Sequence, residues 1–317
     1  MSEPVLKVEH LKKHFQTAQG TVHAVDDVSF DIYRNQTLGL VGESGCGKST
    51  TGRLIVKLLK PTDGRIIYEG TDYASVSGRK AKELRRAVQI IFQDPFSSLD
   101  PTKTVMQAIS EPIIANKIIS GKQKIESRVL ELMDTVGLTE RLVNTYPHEL
   151  DGGRRQRIGI ARALAMEPKF IVCDEPVSAL DVSIQAQILN LLKTLQKNLG
   201  LTLLFITHDL AVVNHVSDEI AVMYLGKIVE KADTENLFDH PLHPYTKALL
   251  SAIPIPDVGQ KRSRIILKGE IASPIDPPDE CRFYRRCPEA QDVCKRSMPL
   301  LVEAQPGHYV ACHLIGA

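Results

Sequence analysis

Apolar positions change their spacing several times along the chain, and each change predicts a different layer of structure. Over residues 4–41 they come in short runs: Val5, Leu6 and Val8, then 22–30, then 37–41. The alternation Val28-Ser29-Phe30-Asp31-Ile32 predicts a half-buried antiparallel strand. A polar break at 16–20 predicts a turn and leaves Phe15 in the first loop. Spacing becomes helical over 48–59 and stops before Pro61. Strand-like runs follow at 65–68 and 87–92. From 94 to about 157 the pattern turns helical, at 102–119 and 122–136, predicting a helical insert. Strand and helix then alternate again. The run 170–173 is a buried strand, and 183–199 is a helix with Ile184, Ile188, Leu191, Leu192 and Leu195 on one face. Another buried strand covers 202–207, and a hairpin turns at Leu225-Gly226. Such alternation predicts an α/β domain with a mostly parallel sheet. After Asp239, proline pairs and clustered cysteines predict a small irregular C-terminal extension.

Composition adds limits. The chain has 317 residues, 43% apolar and 24% charged, which describes an ordinary globular protein. A net charge of +1 gives no bulk attraction to nucleic acid. No apolar run has the length to span a bilayer and no signal peptide is recognisable, so the expected place is the cytosol, or a membrane reached through another protein. Of six cysteines, Cys281, Cys287, Cys294 and Cys312 crowd the last stretch. In a cytosolic chain such a cluster points to metal before disulfides.

The candidate chemistry centres on Gly42-Glu43-Ser44-Gly45-Cys46-Gly47-Lys48-Ser49-Thr50, with strand before and helix after. Glycines let the loop turn its N–H groups onto phosphate oxygens, and the following helix adds its positive end. Lys48 would reach the β- and γ-phosphates, and the Ser49 hydroxyl would ligate Mg²⁺. Asp174 and Glu175 end a buried strand, where ligands collect in open α/β sheets. Asp174 suits the hydration sphere of Mg²⁺, and Glu175 suits a general base that polarises the attacking water. Gln93 follows a strand at the entrance to the insert and can contact Mg²⁺ or that water. His208 ends the strand at 202–207 on the expected phosphate side. Alone, these four would read as solvated strand ends, a surface amide and a structural histidine; the phosphate loop changes that. In Leu150-Asp151-Gly152-Gly153-Arg154-Arg155-Gln156-Arg157, two glycines expose a second helix start receptive to anions.

In this order the motifs resemble the ATP-binding subunits of ABC transporters, over nearly the whole chain. The resemblance implies a P-loop NTPase (ABC ATPase) core with an antiparallel β subdomain. It further implies a helical subdomain at about 94–158 within an ATPase domain of 1–240, and an extension at 241–317. Gln93 matches the Q-loop, Asp151 to Arg154 the signature, Ser178-Ala179-Leu180-Asp181 the D-loop and His208 the switch histidine. In that family two domains pair head to tail, each ATP lying between one phosphate loop and the other domain's signature. Phe15 matches the aromatic that stacks on adenine, with core packing as the alternative.

A narrower resemblance is to the oligopeptide/dipeptide-importer branch. It rests on the phosphate loop, Phe92-Gln93-Asp94-Pro95-Phe96-Ser97-Ser98-Leu99-Asp100-Pro101, Glu175-Pro176-Val177-Ser178, His243-Pro244-Tyr245-Thr246 and Cys281-Arg282-Phe283-Tyr284-Arg285-Arg286-Cys287. The resemblance implies hydrolysis of ATP with Mg²⁺ to energise peptide import, peripheral on the cytoplasmic face. Implied partners are a second, non-identical ATPase subunit, two membrane-spanning permease subunits and, indirectly, an extracytoplasmic peptide-binding protein; nucleic acid is not among them. Alternatives are import of nickel or another small solute, and a soluble ABC ATPase that moves no solute.

Two departures stand out. The family's signature usually reads Ser-Gly-Gly-Gln, whereas Asp151 and Arg154 stand at its ends here. An ionised aspartate cannot donate to a partner's γ-phosphate, although it is a good helix cap and Arg154 can neutralise it. The four tail cysteines, spaced C-x5-C-x6-C-x17-C, lack the short knuckles of common zinc modules. Four thiolates suit [4Fe–4S] as well as zinc, and some members of the branch carry such a cluster. Unmetallated thiols are the third reading. Arg282, Arg285 and Arg286 are placed to offset thiolate charge.

Overall fold

The computed structural model describes residues 3–94, 98–253, 264–270 and 272–315. Pro95, Phe96 and Ser97 of the run after Gln93, and Pro254-Ile255-Pro256, lie outside the described residues. The chain opens on a hairpin of β1 (Leu6–Thr17) and β2 (Gly20–Ile32). Its pairing continues to Thr17, so Phe15 lies in a strand opposite Val22, not in a loop. Next come β3 (Thr37–Val41), α1 (Lys48–Ile55), β4 (Asp63–Tyr68) and β5 (Thr71–Asp72). Lys57 takes a left-handed φ of 61° just past α1, which ends ahead of its predicted limit.

α2 (Gly78–Ala87) was not signalled by the apolar pattern, because only Ala81 and Leu84 are buried on it. β6 (Val88–Ile91), α3 (Val105–Ala115), α4 (Lys122–Thr135) and α5 (Gly152–Leu164) follow. α3 starts at Val105 because Thr104 and Gln107 cap each other reciprocally. The chain continues through β7 (Phe170–Asp174), α6 (Val182–Leu199), β8 (Thr202–Thr207), α7 (Leu210–Val216), β9 (Glu219–Tyr224) and β10 (Lys227–Asp233). Last come α8 (Thr234–Asp239), α9 (Pro244–Ser251), β11 (Val302–Gln305) and β12 (His308–Val310). Among the described residues no helix is long and apolar enough to cross a membrane.

Packing divides the chain into two units, Met1–Ser75 with Phe205–Ala317, and Val76–Leu204; the division passes through β8. In the first unit β2, β1, β4 and β5 form an antiparallel sheet in that order. A second run of strands has the order β11-β12-β10-β9-β3. β3 lies parallel to β9, and both are almost wholly buried, as the continuous apolar runs predict. Leu225 and Gly226, at φ 41° and 84°, make the tight turn between β9 and β10. In the second unit β6 and β7 pair in parallel, and α3, α4 and α5 pack on one another, with Ile109, Ile113, Met133 and Ile158 buried on them.

The extension contributes two strands that its composition does not announce. β12 lies antiparallel to β10, with Glu230 opposite Val310. Glu230 is fully buried and accepts from the Leu242 and His243 N–H groups at 2.6 and 3.0 Å, with His308 Nε2 at 2.7 Å. His243, only 2% exposed, caps α9: its Nδ1 accepts the Tyr245 N–H at 3.1 Å. That bond needs a neutral ring. Burial, outweighing the nearby Glu230 carboxylate, lowers the His243 pKa from 6.5 to about 4.

The folded state thus binds fewer protons than the unfolded one between those values, so its stability is complete above pH 6.5 and falls on acidification toward 4. Denaturant titrations at pH 7 and pH 4 should show the wild type losing about 2–3 kcal/mol more than His243→Asn, which keeps a capping acceptor but cannot titrate. Equal losses in the two proteins would count against this assignment.

Candidate nucleotide site

The phosphate loop belongs to the first unit. β3 delivers the chain to Gly42, and α1 leaves from Lys48. Gly47 precedes α1 at φ 109°, and a Cβ there would run into the Ala24 carbonyl oxygen. At Gly42 a Cβ would meet the Met223 carbonyl. Both glycines are therefore required by backbone packed behind the loop, as well as by the loop's own turn. The β9–β10 turn supports it further, since the Gly226 N–H donates to the Cys46 carbonyl at 2.9 Å. Cys46 is buried, which raises its thiol pKa. Lys48 is 4% exposed, and its ammonium donates to the Gly42 and Glu43 carbonyls at 2.7 and 3.0 Å. Ser44 and Gly45 are exposed, while Ser49 and Thr50 are half-buried at the start of α1.

Glu43 behaves unlike a phosphate-facing residue. Its N–H donates to the Tyr245 hydroxyl at 2.9 Å, and its two carboxylate oxygens accept from Arg286 at 2.7 and 3.0 Å. Phe15 is 37% exposed, with the Lys13 ammonium 5.0 Å from its ring centroid. That exposure leaves a face for a base to stack on and does not suit core packing. His208 is exposed just past β8.

The second unit holds the other predicted groups. Asp174 ends β7 and is 2% exposed. Glu175 follows at a left-handed φ of 48°, which turns the chain sharply out of the strand. Its carboxylate accepts from the Gln93 side-chain amide at 3.0 Å. The sequence places these two 82 positions apart, and the fold joins them.

α5 begins at the signature. Asp151 is its N-cap, accepting the Arg154 N–H at 2.8 Å, and the Arg154 Nε lies 3.4 Å from the same carboxylate. Both sequence-level ideas about Asp151, a cap and a charge neutralised by Arg154, describe what it does. The next two arginines are structural: Arg155 donates to the Pro147 carbonyl and Arg157 to the Val136 carbonyl, each at 2.5 Å. A Cβ on Gly152 would press on Leu180, and one on Gly153 on Ile184, so the signature glycines let α5 approach the D-loop and α6 closely. Asp181 caps α6 through the Ile184 N–H at 3.0 Å, and that bond lowers its pKa.

In the tail, the Cys281 N–H donates to the Cys294 carbonyl at 2.9 Å. Burial raises the thiol pKa of Cys287 and Cys312. Burial pushes Cys281 up to about 11, and the other three thiols add to that rise. The neighbouring arginines do not serve these sulfurs, contrary to the expectation. Arg282 bonds Asp26 at 2.5 Å, Arg285 bonds Glu280 at 3.4 Å and Arg286 bonds Glu43, because carboxylates compete better for a guanidinium than protonated thiols. His14, His23 and Asp26 bring donor atoms within 4.8 Å of one another. Arg282 and Lys227, at 2.5 and 3.8 Å from Asp26, already neutralise that carboxylate and would repel a cation.

Residues 25–178 match the ABC transporter family, and 229–294 match the oligopeptide/dipeptide transporter C-terminal region. A putative oligopeptide transport ATP-binding protein of Bacillus subtilis, YkfD, is 53% identical over 98% of this chain and 95% of its own. The oligopeptide transport ATP-binding protein AppF of the same organism is 50% identical over 98% of both chains. A putative peptide import ATP-binding protein of Brucella ovis is 52% identical over 98% of this chain and 97% of its own. Among solved structures, a dimeric ATP-binding cassette in a post-hydrolysis state with ADP and phosphate is 29% identical. It superposes with a TM-score of 0.65 over 72% of this chain and 98% of that one. CbiO1 of Clostridium perfringens, part of an ABC transporter complex, is 31% identical, with a TM-score of 0.66 over 75% and 92%. With its phosphate loop, its carboxylate pair and these relatives, the chain belongs to the ABC transporter family as an ATPase of the oligopeptide transport ATP-binding proteins.

Proposed function

We propose that this chain hydrolyses Mg·ATP to energise the import of di- or oligopeptides, working on the cytoplasmic face of a membrane. Its partners in this reading are two permease subunits, a second and non-identical ATPase subunit, and indirectly an extracytoplasmic peptide-binding protein. The observation that carries it is the matched C-terminal region at 229–294, downstream of a full set of nucleotide motifs. Relatives named for oligopeptides support peptide cargo over nickel. The described insert, whose longest helix is the 14-residue α4, offers no long coiled coil of the kind a mechanical DNA-repair ATPase would use.

In this mechanism Lys48 supplies fixed positive charge and Phe15 stacks on adenine. Ser49, Gln93 and Asp174 are the residues that would hold Mg²⁺, which when bound would supply positive charge to the phosphates. Glu175 aims and polarises the attacking water, its carboxylate held by Gln93, and His208 contacts the γ-phosphate. Because Gln93 leads into the helical insert, its bond to Glu175 ties the base to the element that would move the permeases.

The cap at Asp151 bears on the partner. Two unit charges of one sign at 4 Å cost about 4 kcal/mol at an effective dielectric of 20, and solvent screening at this exposed group reduces that. Arg154 offsets part of the repulsion without restoring a donor. The signature of this chain therefore forms the weaker of two unequal sites, while its phosphate loop uses the partner's signature.

In this reading the four cysteines are the residues that would hold a [4Fe–4S] cluster. Among the described residues no three of the sulfurs come within 4.8 Å of one another. A closed mononuclear zinc site needs sulfurs roughly 3.8 Å apart, from its 2.3 Å bonds, whereas a cluster spans more.

Three measurements test this reading. Glu175→Gln should keep ATP binding and lower steady-state hydrolysis by about 10²–10⁴-fold; undiminished turnover would remove Glu175 from the role of base. In the reconstituted pair Asp151→Ser should hold or raise turnover, and Asp151→Ala should cost the chain about 1 kcal/mol of stability through its lost cap. A marked fall with serine would overturn the unequal-site idea. Anaerobically purified protein should absorb broadly in the visible; a colourless preparation would exclude the iron–sulfur cluster.

A further inference from the structure

We infer that Arg286 is a positioning residue for the phosphate loop, holding the Glu43 carboxylate away from the triphosphate so that the loop is ready to bind it. The inference rests on the ATP reading above and adds a role for the C-terminal extension in it.

Every polar group of Glu43 is committed. The carbonyl accepts from Lys48 at 3.0 Å, the N–H donates to Tyr245 at 2.9 Å and the carboxylate takes both Arg286 nitrogens. Two of these three holds come from the extension. Tyr245 is fully buried, packed with Phe283 and Tyr224 at centroid distances of 5.3 and 4.7 Å. The Arg286 side chain is 10% exposed, lies 5.9 Å from the Tyr224 ring centroid and reaches its hydroxyl at 3.4 Å. Its backbone is fixed as well, with the Arg286 N–H on the Phe283 carbonyl at 3.0 Å. A guanidinium so placed matches a carboxylate in two parallel bonds, which fixes direction as well as charge.

The same short turn holds the loop a second way. Arg282 bonds Asp26, the Asp26 N–H donates to the Gly226 carbonyl at 2.8 Å, and the Gly226 N–H donates to the Cys46 carbonyl at 2.9 Å. Two arginines of one turn thus secure Glu43 and Cys46, within the stretch that must cradle phosphate.

Electrostatics gives the link a purpose. A carboxylate in the loop without its partner would repel the triphosphate and compete for the Lys48 ammonium. With Arg286 in place the pair is neutral and Lys48 stays with the loop. Arg286 touches no substrate, so its loss acts on affinity for nucleotide, seen in KM, and leaves the bond-breaking step alone.

The test is equilibrium binding of Mg·ATP to the full chain, with R286Q and E43Q/R286Q, and both steady-state constants. R286Q should weaken binding about tenfold and raise KM with kcat nearly unchanged. E43Q/R286Q should return to within about threefold of the wild type, because the stranded carboxylate is gone. A purely structural staple would leave the double variant as weak as R286Q, and that result overturns the inference, as does unaltered binding in R286Q. If R286Q does not fold, R286K replaces it: a KM above the wild type with kcat held supports the role, because lysine keeps the charge but not the paired bonds, and an unaltered KM or a fall in kcat at constant KM overturns it. Binding by the wild type tests the nucleotide reading separately from all of these comparisons.

Discussion

Backbone crowding behind the phosphate loop is the constraint on which the first unit depends. The Ala24 and Met223 carbonyls stand where a side chain on Gly47 or Gly42 would go. β2, β9 and the loop can therefore approach there only as bare main chain. A shift of any one of these strands would change the curvature of the loop. This explains why so much of the surrounding polar chemistry is spent on fixing those strands. The Thr37 N–H donates to Asp218 at 2.7 Å, and the β9–β10 turn bonds Cys46 and Asp26 at once.

Several charges beside the site act on the chain's own backbone. Arg155 and Arg157 sit beside the signature, yet each spends its guanidinium on a backbone carbonyl, of Pro147 and Val136. Asp151, Asp181, Asp209 and Asp233 all cap helices. Two groups proposed for the chemistry are held differently: Glu175 leaves the strand end at a left-handed φ and meets Gln93, and Lys48 rests on loop carbonyls that a phosphate can replace.

What could be read from the sequence follows from how local each signal is. The phosphate loop, the strand before Asp174 and the hairpin at Leu225-Gly226 are complete within a few residues, and each stands where the pattern puts it. Phe15 falls in a strand because the break is confined to Ala18-Gln19, two residues later at its start than the polar pattern at 16–20 suggests. α2 escaped because ten mostly charged residues carry too few apolar positions to show a period. The tail arginines were assigned to the cysteines beside them in sequence, but a guanidinium chooses its partner in space. Arg286 finds Glu43 across 243 positions. No periodicity encodes that separation. The bond between Gln93 and Glu175 belongs to the same class, although there the motif order hinted at it.

The pairing of β12 with β10 has a consequence for the chain during synthesis. β10 emerges from the ribosome long before β12 exists, so until then one side of the sheet is an open ladder of N–H and C=O groups, the arrangement that recruits stray strands. Glu230 lies in that ladder. Without His308 and the turn at Leu242 its carboxylate needs water, and an intruding strand that buried it would leave an uncompensated charge. The residue that locks the finished edge is thus also a guard on the unfinished one, rejecting every partner except the strand that brings its own histidine.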